Sequence, residues 1–304
     1  MFDRLVISEV QPVKIPDLPT GTPKIHVLRE DLLHPHISGN KWRKLRYNFL
    51  EMRQSGMTKL VTFGGAFSNH IAATAACAKA HNYESIGIIR GDELNHTSNH
   101  TLRFASEQGM KLIFVSREAY RGKEEPDFLN EYMVNPKDYY LIPEGGTNKK
   151  AIKGTSEILG SHTENFDVIC VCAGTGGTAA GIINSAMPHQ KVLVFPALKG
   201  DFLKKEIGKH ISVHKKYGES WELIGSYHFG GYAKWNMQLV DFINKFKEVN
   251  QIAIDIIYNG KMIFGLQDLI KNSYFYDSTR ILAIHTGGTQ STVGFNEING
   301  LLIK

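Results

Sequence analysis

Three short segments of this 304-residue chain carry residue types that can do chemistry. The first is His36-Ile-Ser-Gly-Asn-Lys-Trp-Arg-Lys44, where Lys41 follows a Gly-Asn turn. At a helix start the dipole opposes a cation, so an amine there loses its proton more easily. An amine must be deprotonated to form an imine, and the placement suits a nucleophile. Read blandly, Lys41 is one charge among four, with Arg43, Lys44 and Arg46. The second segment is Thr62-Phe-Gly-Gly-Ala-Phe-Ser-Asn-His70. Ser68 or Asn69 serves there as an ordinary N-cap. The same hydroxyl, amide and helix start could instead hold a carboxylate. His70 alone reads as a structural histidine.

The third segment is Ala173-Gly-Thr-Gly-Gly-Thr178. Gly174, Thr175, Gly176, Gly177 and Thr178 lie between a buried strand and a helix. Glycine permits close backbone approach, and the N–H groups with the helix dipole favour an anion. Gly174-x-Gly176-x-x-Ala179 also fits a dinucleotide fingerprint, which wants a carboxylate about 20 residues on. The next strand ends in Phe195-Pro-Ala-Leu-Lys199, without one. No Gly-Lys-Ser/Thr ending marks a P-loop. The loop reads as a plain phosphate cup, or as a tight turn without a ligand. An imine-forming lysine, a carboxylate holder and a phosphate cup together are the equipment of a pyridoxal-phosphate enzyme.

The elements that must position these segments alternate. Strands are predicted at Lys24–Arg29, Lys59–Phe63, Ser85–Arg90, Lys111–Val115, Asp167–Cys172, Lys191–Phe195 and Arg280–Ile284. Helices are predicted from Lys41 to Gln54 (Trp42, Leu45, Phe49 and Met52 on one face), His70 to His81, Asn99 to Gln108 and Lys150 to Leu159. Further helices are expected at Thr178–Met187, Trp235–Asn250 and Gly265–Lys271. This pattern gives βαβ units and parallel sheets. Ser116 to Lys137 reads as a long excursion, and Pro143-Glu-Gly-Gly-Thr-Asn148 as a domain crossing.

Composition narrows the class. With 21% charged and 42% hydrophobic residues the chain reads as a globular protein of one or two domains. A net charge of +5 is spread along it, and Lys204-Lys205 and Lys215-Lys216 read as solvated faces. No nucleic-acid partner is expected. Cys77, Cys170 and Cys172 form no disulfide framework and no metal-ligand spacing; Cys170 and Cys172 read as small core residues of a strand. No apolar run reaches about 18 residues and no signal region is seen, so no membrane association and a cytoplasmic location are expected.

In order and spacing these segments resemble the fold type II pyridoxal-phosphate enzymes of the tryptophan synthase β family. They resemble more closely the branch of D-cysteine desulfhydrases and 1-aminocyclopropane-1-carboxylate (ACC) deaminases. The likeness runs from Arg29-Glu-Asp-Leu32 to His285-Thr-Gly-Gly288. It implies that Lys41 carries the cofactor as an imine, that Ser68 binds the substrate carboxylate, and that Asn69 lies beside the cofactor's 3-oxygen. It implies that Gly174 to Thr178 hold the phosphate. Tyr232, in Gly230-Gly-Tyr-Ala-Lys-Trp-Asn236, and Tyr258, in Tyr258-Asn-Gly-Lys-Met262, match two active-site tyrosines. In the family the residue after the second tyrosine faces the pyridine nitrogen: glutamate in ACC deaminases, threonine in desulfhydrases. Here it is Asn259, which matches neither and provides no charge. A late His-x-Gly-Gly turn has leucine in ACC deaminases and threonine in desulfhydrases; here it is Thr286. Both positions argue against opening a cyclopropane.

The resemblance implies an α/β protein with two parallel-sheet domains and pyridoxal 5'-phosphate in the cleft between them. A larger domain would comprise 1–44 and 148–304, a smaller one 45–147, and the chain would form a homodimer. The expected reaction is α,β-elimination and deamination of a small amino acid, with D-cysteine giving pyruvate, ammonia and sulfide. Lys41, freed by the substrate amine, would take the α-proton. Ser68, Asn69 and the start of the His70 helix would bind the carboxylate, and Tyr258 or Tyr232 would assist the leaving group. Alternatives are an ACC deaminase, a serine/threonine-type dehydratase, or a cofactor-binding protein without turnover.

Overall fold

The computed structural model describes residues 2–19, 23–132, 134–212 and 220–304. Lys215-Lys216 therefore lies outside the described residues. Ten strands form two sheets. The larger has the order β1 (Val10–Pro12), β2 (Lys24–Leu28), β10 (Arg280–Ile284), β7 (Val168–Ala173), β8 (Lys191–Pro196), β9 (Trp221–Leu223). β1 runs antiparallel to β2, with Val10 opposite Leu28; the other pairings are parallel. The smaller sheet has the order β5 (Lys111–Val115), β4 (Glu84–Arg90), β3 (Lys59–Gly65), β6 (Tyr140–Ile142), all parallel. The central strands of the larger sheet are apolar beyond their first residues. All six residues of β7 are buried, as a strand covered on both faces requires.

Helix α1 (Asn40–Ser55) follows β2 and leads into the smaller sheet. Trp42, Leu45, Phe49 and Met52 are all buried, on the predicted face. They pack with Leu60, Ala73 and Cys77, so truncating Leu45 to alanine would cost about 3 kcal/mol. α2 (Asn69–Ala80) and α3 (His100–Glu107) connect the strands of this sheet, and the short α4 (Phe128–Glu131) lies in the predicted excursion. The chain returns through Glu144–Gly146 to α5 (Lys149–Ser156), capped by Asn148. α6 (Gly177–Ser185) joins β7 to β8, followed by α7 (Phe202–Gly208), α8 (Met237–Asn250), α9 (Asn259–Lys271) and α10 (Gln290–Asn299).

Glycines let three helices approach closely. A Cβ at Gly154 on α5 would lie 2.0 Å from the Arg43 carbonyl oxygen, and one at Gly181 on α6 would lie 2.0 Å from Thr155 Oγ1. Thr155 Oγ1 in turn donates to the Gly177 carbonyl at 3.3 Å. This stack ties the Lys41 helix to the helix after the glycine loop. Under α1, Arg43 Nη2 meets Glu30 Oε1 at 2.7 Å, both fully buried. The Glu30 carbonyl accepts the Gly39 N–H at 3.0 Å, so the same residue anchors the helix and its entry turn.

Candidate active site

The carboxyl ends of β3, β4, β7 and β10 open onto one cleft of about 1490 Å³. Loops at that end of parallel sheets are where open α/β folds bind ligands. Lys41, Ser68, Asn69, His70, Gly174, Thr175, Gly176, Thr178, Tyr232, Tyr258 and Thr286 all line it. The structure thus gathers segments separated by more than 200 residues.

Lys41 is the second residue of α1, and its position depends on a left-handed Gly39. A Cβ at Gly39 would lie 1.9 Å from the Thr286 carbonyl oxygen, and the Asn40 N–H donates to that oxygen at 3.0 Å. Lys41 Nζ donates to Asn40 Oδ1 at 3.0 Å, while Asn40 Nδ2 donates to Thr178 Oγ1 at 2.9 Å. No carboxylate partners the amine among the described residues, and burial lowers its pKa to about 8. The amine thus reaches the neutral form that imine chemistry requires more readily than an ordinary lysine.

Ser68 caps α2: its Oγ accepts the Ile71 N–H at 3.3 Å. The other first-turn N–H groups of a helix have no acceptor within it, which leaves that end able to hold a carboxylate. Asn69 Oδ1 accepts from Gln290 Nε2 at 3.1 Å. The His70 ring turns inward, 2% exposed, with Nε2 2.8 Å from Thr62 Oγ1. Burial, then the charges of Lys41 and Lys44, push its pKa well below the usual histidine value. Its ring is neutral and structural, and only the backbone at its position belongs to the helix start.

At the glycine loop, Gly176 is left-handed and α6 begins at Gly177 with no side-chain cap. Thr175 and Thr147 hydroxyls are 2.8 Å apart. Lys44, in sequence only one of the charges around Lys41, is buried and donates to the Gly145 carbonyl at 2.9 Å and Thr147 Oγ1 at 3.1 Å. Both acceptors are neutral, and burial followed by the Lys41 charge drives the Lys44 pKa well down. Helix N–H groups, hydroxyls and a buried lysine amine with only neutral acceptors among the described residues fit a phosphate dianion, which would hold that amine in its charged form. The donor set and the lysine amine therefore fit pyridoxal phosphate. Spacing hides Lys44, because a buried i+3 lysine and a solvated one look alike in sequence.

Two tyrosines close the far wall. Their ring centroids are 6.2 Å apart. Burial keeps Tyr258 protonated, its pKa raised well above the usual value, and raises that of Tyr232 as well.

Asn259 is a correction. The sequence reading set it against the pyridine nitrogen, lining the cofactor site. Its side chain is 1% exposed and lies behind Cys172 and Thr286, which do line the cleft. Its Nδ2 donates to Asp255 Oδ1 at 2.6 Å and to the Gly287 carbonyl at 2.8 Å. Its Oδ1 accepts the Thr286 N–H at 3.1 Å and faces Thr286 Oγ1 at 3.4 Å. Cys172 Sγ lies 3.1 Å from Thr286 Oγ1. The buried carboxylate of Asp255, four residues back, draws the amide inward; no spacing rule shows this. Cys172 is accordingly a cleft residue as well as a strand residue. Burial raises its thiol pKa to about 12, so it is no thiolate nucleophile.

Among the described residues no cluster of metal-ligating side chains occurs and no helix is long and apolar enough to cross a membrane. A crystal structure of an ACC deaminase homologue superposes with a TM-score of 0.79 at 24% identity, covering 98% of this chain and 94% of that one. A hydrogen sulfide-producing enzyme from Fusobacterium nucleatum gives 0.66 at 17% identity, covering 95% and 98%. Both likenesses concern the fold. In sequence, the Arabidopsis thaliana protein named bifunctional D-cysteine desulfhydrase/1-aminocyclopropane-1-carboxylate deaminase, mitochondrial, is 29% identical over 303 residues, 90% of this chain and 74% of its own. The model of the pyridoxal-phosphate dependent enzyme family matches residues 10–287, and with the cleft just described this places the chain in that family.

Proposed function

We propose that the protein catalyses α,β-elimination and deamination of a small amino acid, with D-cysteine giving pyruvate, ammonia and sulfide. The observation that carries the reading is one cleft holding an amine with a pKa near 8, a helix start able to hold a carboxylate, and two adjacent phenols. Pyridoxal phosphate supplies, when bound, an electron sink for the bond broken at the α-carbon.

The roles of the chain's own residues follow. Lys41 is the attachment point and, once released, the base for the α-proton. Ser68, Asn69 and the α2 start orient the substrate carboxylate. Gly174 to Thr178, with Lys44 and Thr147, hold the phosphate. Tyr232 is 42% exposed and is the phenol that reaches a leaving group. Thr286 and Cys172 present only neutral groups at the wall backed by Asn259. A wall without a carboxylate favours departure of a good leaving group such as thiolate over opening a cyclopropane.

We also infer a division into a smaller domain near 45–147 and a larger one built from the remainder, supported by the two sheets, a homodimer as the family resemblance implies, and a cytoplasmic location as the sequence composition suggests. The test is release of 2-oxo acid from D- and L-cysteine, D-serine and ACC by the cofactor-loaded protein. D-cysteine is expected to react faster than ACC. 2-Oxobutyrate from ACC at an equal or higher rate would make the protein a deaminase of that kind, and reaction with serine alone a dehydratase.

A further inference from the structure

Arg90 is the last residue of β4, in register with Gly65 of β3, from which the Ser68-Asn69 turn begins. Because Gly65 has no side chain, Arg90 Nη2 lies over it, 3.6 Å from where a Cβ would be. The guanidinium lines the main cleft and also a side pocket of about 240 Å³ opening beside it. Tyr232 lines the same cleft.

The side pocket is lined by Arg90, Arg117, Tyr120, Arg121, Lys123 and Glu144, four cations to one carboxylate. Arg117 is already paired with Glu93 at 2.5 Å and Lys123 with Glu144 at 3.3 Å. Arg90 forms no ion pair among the described residues; the contact it makes is with the Tyr120 ring, 5.8 Å from the centroid. That ring is buried and also carries Lys123 at 5.1 Å, so it fixes a floor under two cations. An arginine held against an aromatic face keeps its planar fork free for a carboxylate, sulfonate or phosphate.

We propose that Arg90 provides a second anion position in the cleft, and that the substrates are small amino acids with an anionic group on the side chain besides the α-carboxylate. This rests on the elimination reading for the reaction and adds the class of substrate. The α-carboxylate goes to the start of α2 and the side-chain anion to Arg90, with Tyr232 in the same cleft. For 3-sulfoalanine the α-proton goes to the base, and its electron pair forms the Cα–Cβ double bond. The Cβ–S bond breaks and its electrons leave with sulfite. One water then hydrolyses the enamine to pyruvate and ammonia.

The test is calorimetric titration of the cofactor-loaded protein with succinate and with butyrate, which has a methyl where succinate has its distal carboxylate. Succinate is expected to bind at least tenfold more tightly. Arg90→Gln should bring the ratio close to one, and Arg90→Lys should leave it between the two. The visible absorbance of bound cofactor checks that each variant is folded. Equal affinities in the wild type, or an unchanged ratio in Arg90→Gln, would overturn the proposal. Release of 2-oxo acid is scored separately on the same protein. Its absence with every amino acid tested, 3-sulfoalanine included, would remove the elimination reading and leave the succinate-to-butyrate ratio to decide on Arg90.

Discussion

Asn259 Nδ2 donates to Asp255 Oδ1 at 2.6 Å with both side chains buried. Asp255 also accepts the N–H groups of Ile257 at 2.9 Å, Tyr258 at 2.8 Å and Asn259 at 3.0 Å. One carboxylate therefore starts α9 and fixes Tyr258 and Asn259 together. With Nδ2 committed inward, the Asn259 oxygen is the atom that meets Thr286.

Asn259→Asp should destabilise the fold by about 3 kcal/mol at pH 7.5, since it sets two buried carboxylates side by side. Burial already raises the Asp255 pKa. A second charge raises it further, so the folded state binds more protons than the unfolded one. Stability of the variant is then present at low pH and lost as pH rises. Thermal melts at pH 5.5 and 7.5 check this. The deficit against wild type should shrink at the lower pH, and a deficit independent of pH would refute the pairing.

Lys41 should be the residue that borohydride fixes to the cofactor, read by peptide mapping; an adduct on Lys44 would reverse their roles. Lys41→Ala should abolish turnover while the protein stays folded. With a pKa about 8, roughly a tenth of the amine is neutral at pH 7, against well under a thousandth for an ordinary lysine. The rate of cofactor attachment to the apoprotein should rise as pH rises through about 8 and then level. A rise continuing past pH 10 would show that Lys41 is not desolvated.

Gly39→Ala should be far worse than an ordinary glycine replacement. The added Cβ would meet the Thr286 carbonyl oxygen at 1.9 Å, on a backbone at φ +62°. The turn would have to move, taking Lys41 away from Asn40 and Thr178. Cofactor affinity should fall by at least tenfold, measured by absorbance titration, with about 3 kcal/mol lost in stability. Gly56→Ala, also left-handed but with open space around it, is the control and should cost only about 1 kcal/mol.

Lys261 holds the loop that presents Tyr232. Its buried ammonium donates to the carbonyls of His228 at 2.9 Å and Gly231 at 2.8 Å. Phe229, Gly230, Gly231 and Ala233 all have positive φ, so the loop needs such an anchor. Lys261→Met should lower kcat by about tenfold or more while leaving the absorbance of bound cofactor in place. Burial lowers the Lys261 pKa to about 8, so its charge is lost as pH rises through that value. Lys261→Arg, which does not titrate there, should extend the alkaline side of the activity profile. An unchanged kcat in Lys261→Met would rule out the positioning role.

The alternation of strands and helices was legible in the sequence because each buried strand is a continuous apolar run and each helix shows one apolar face. The three chemical segments were legible for a similar reason. Gly39 and Gly176 act through their own backbones and Ser68 as a local helix cap, so residue type and neighbours reveal them. The three-residue strands β1, β6 and β9 and the helices α4, α7 and α10 escaped, since they owe their form to partners elsewhere in the chain. α9 was expected from Gly265 and begins at Asn259, because its cap is the side chain of Asp255 and not a residue at the usual position. Only the tertiary structure decided which charges lose their water. Lys41, Lys44 and Arg90 are all basic residues near the ends of elements, yet Lys41 is a desolvated amine in the cleft, Lys44 a buried amine bonded to neutral acceptors, and Arg90 a guanidinium at the mouth with no ion pair among the described residues. Burial and the absence of a counterion set those differences, and both arise from contacts with segments distant in the chain.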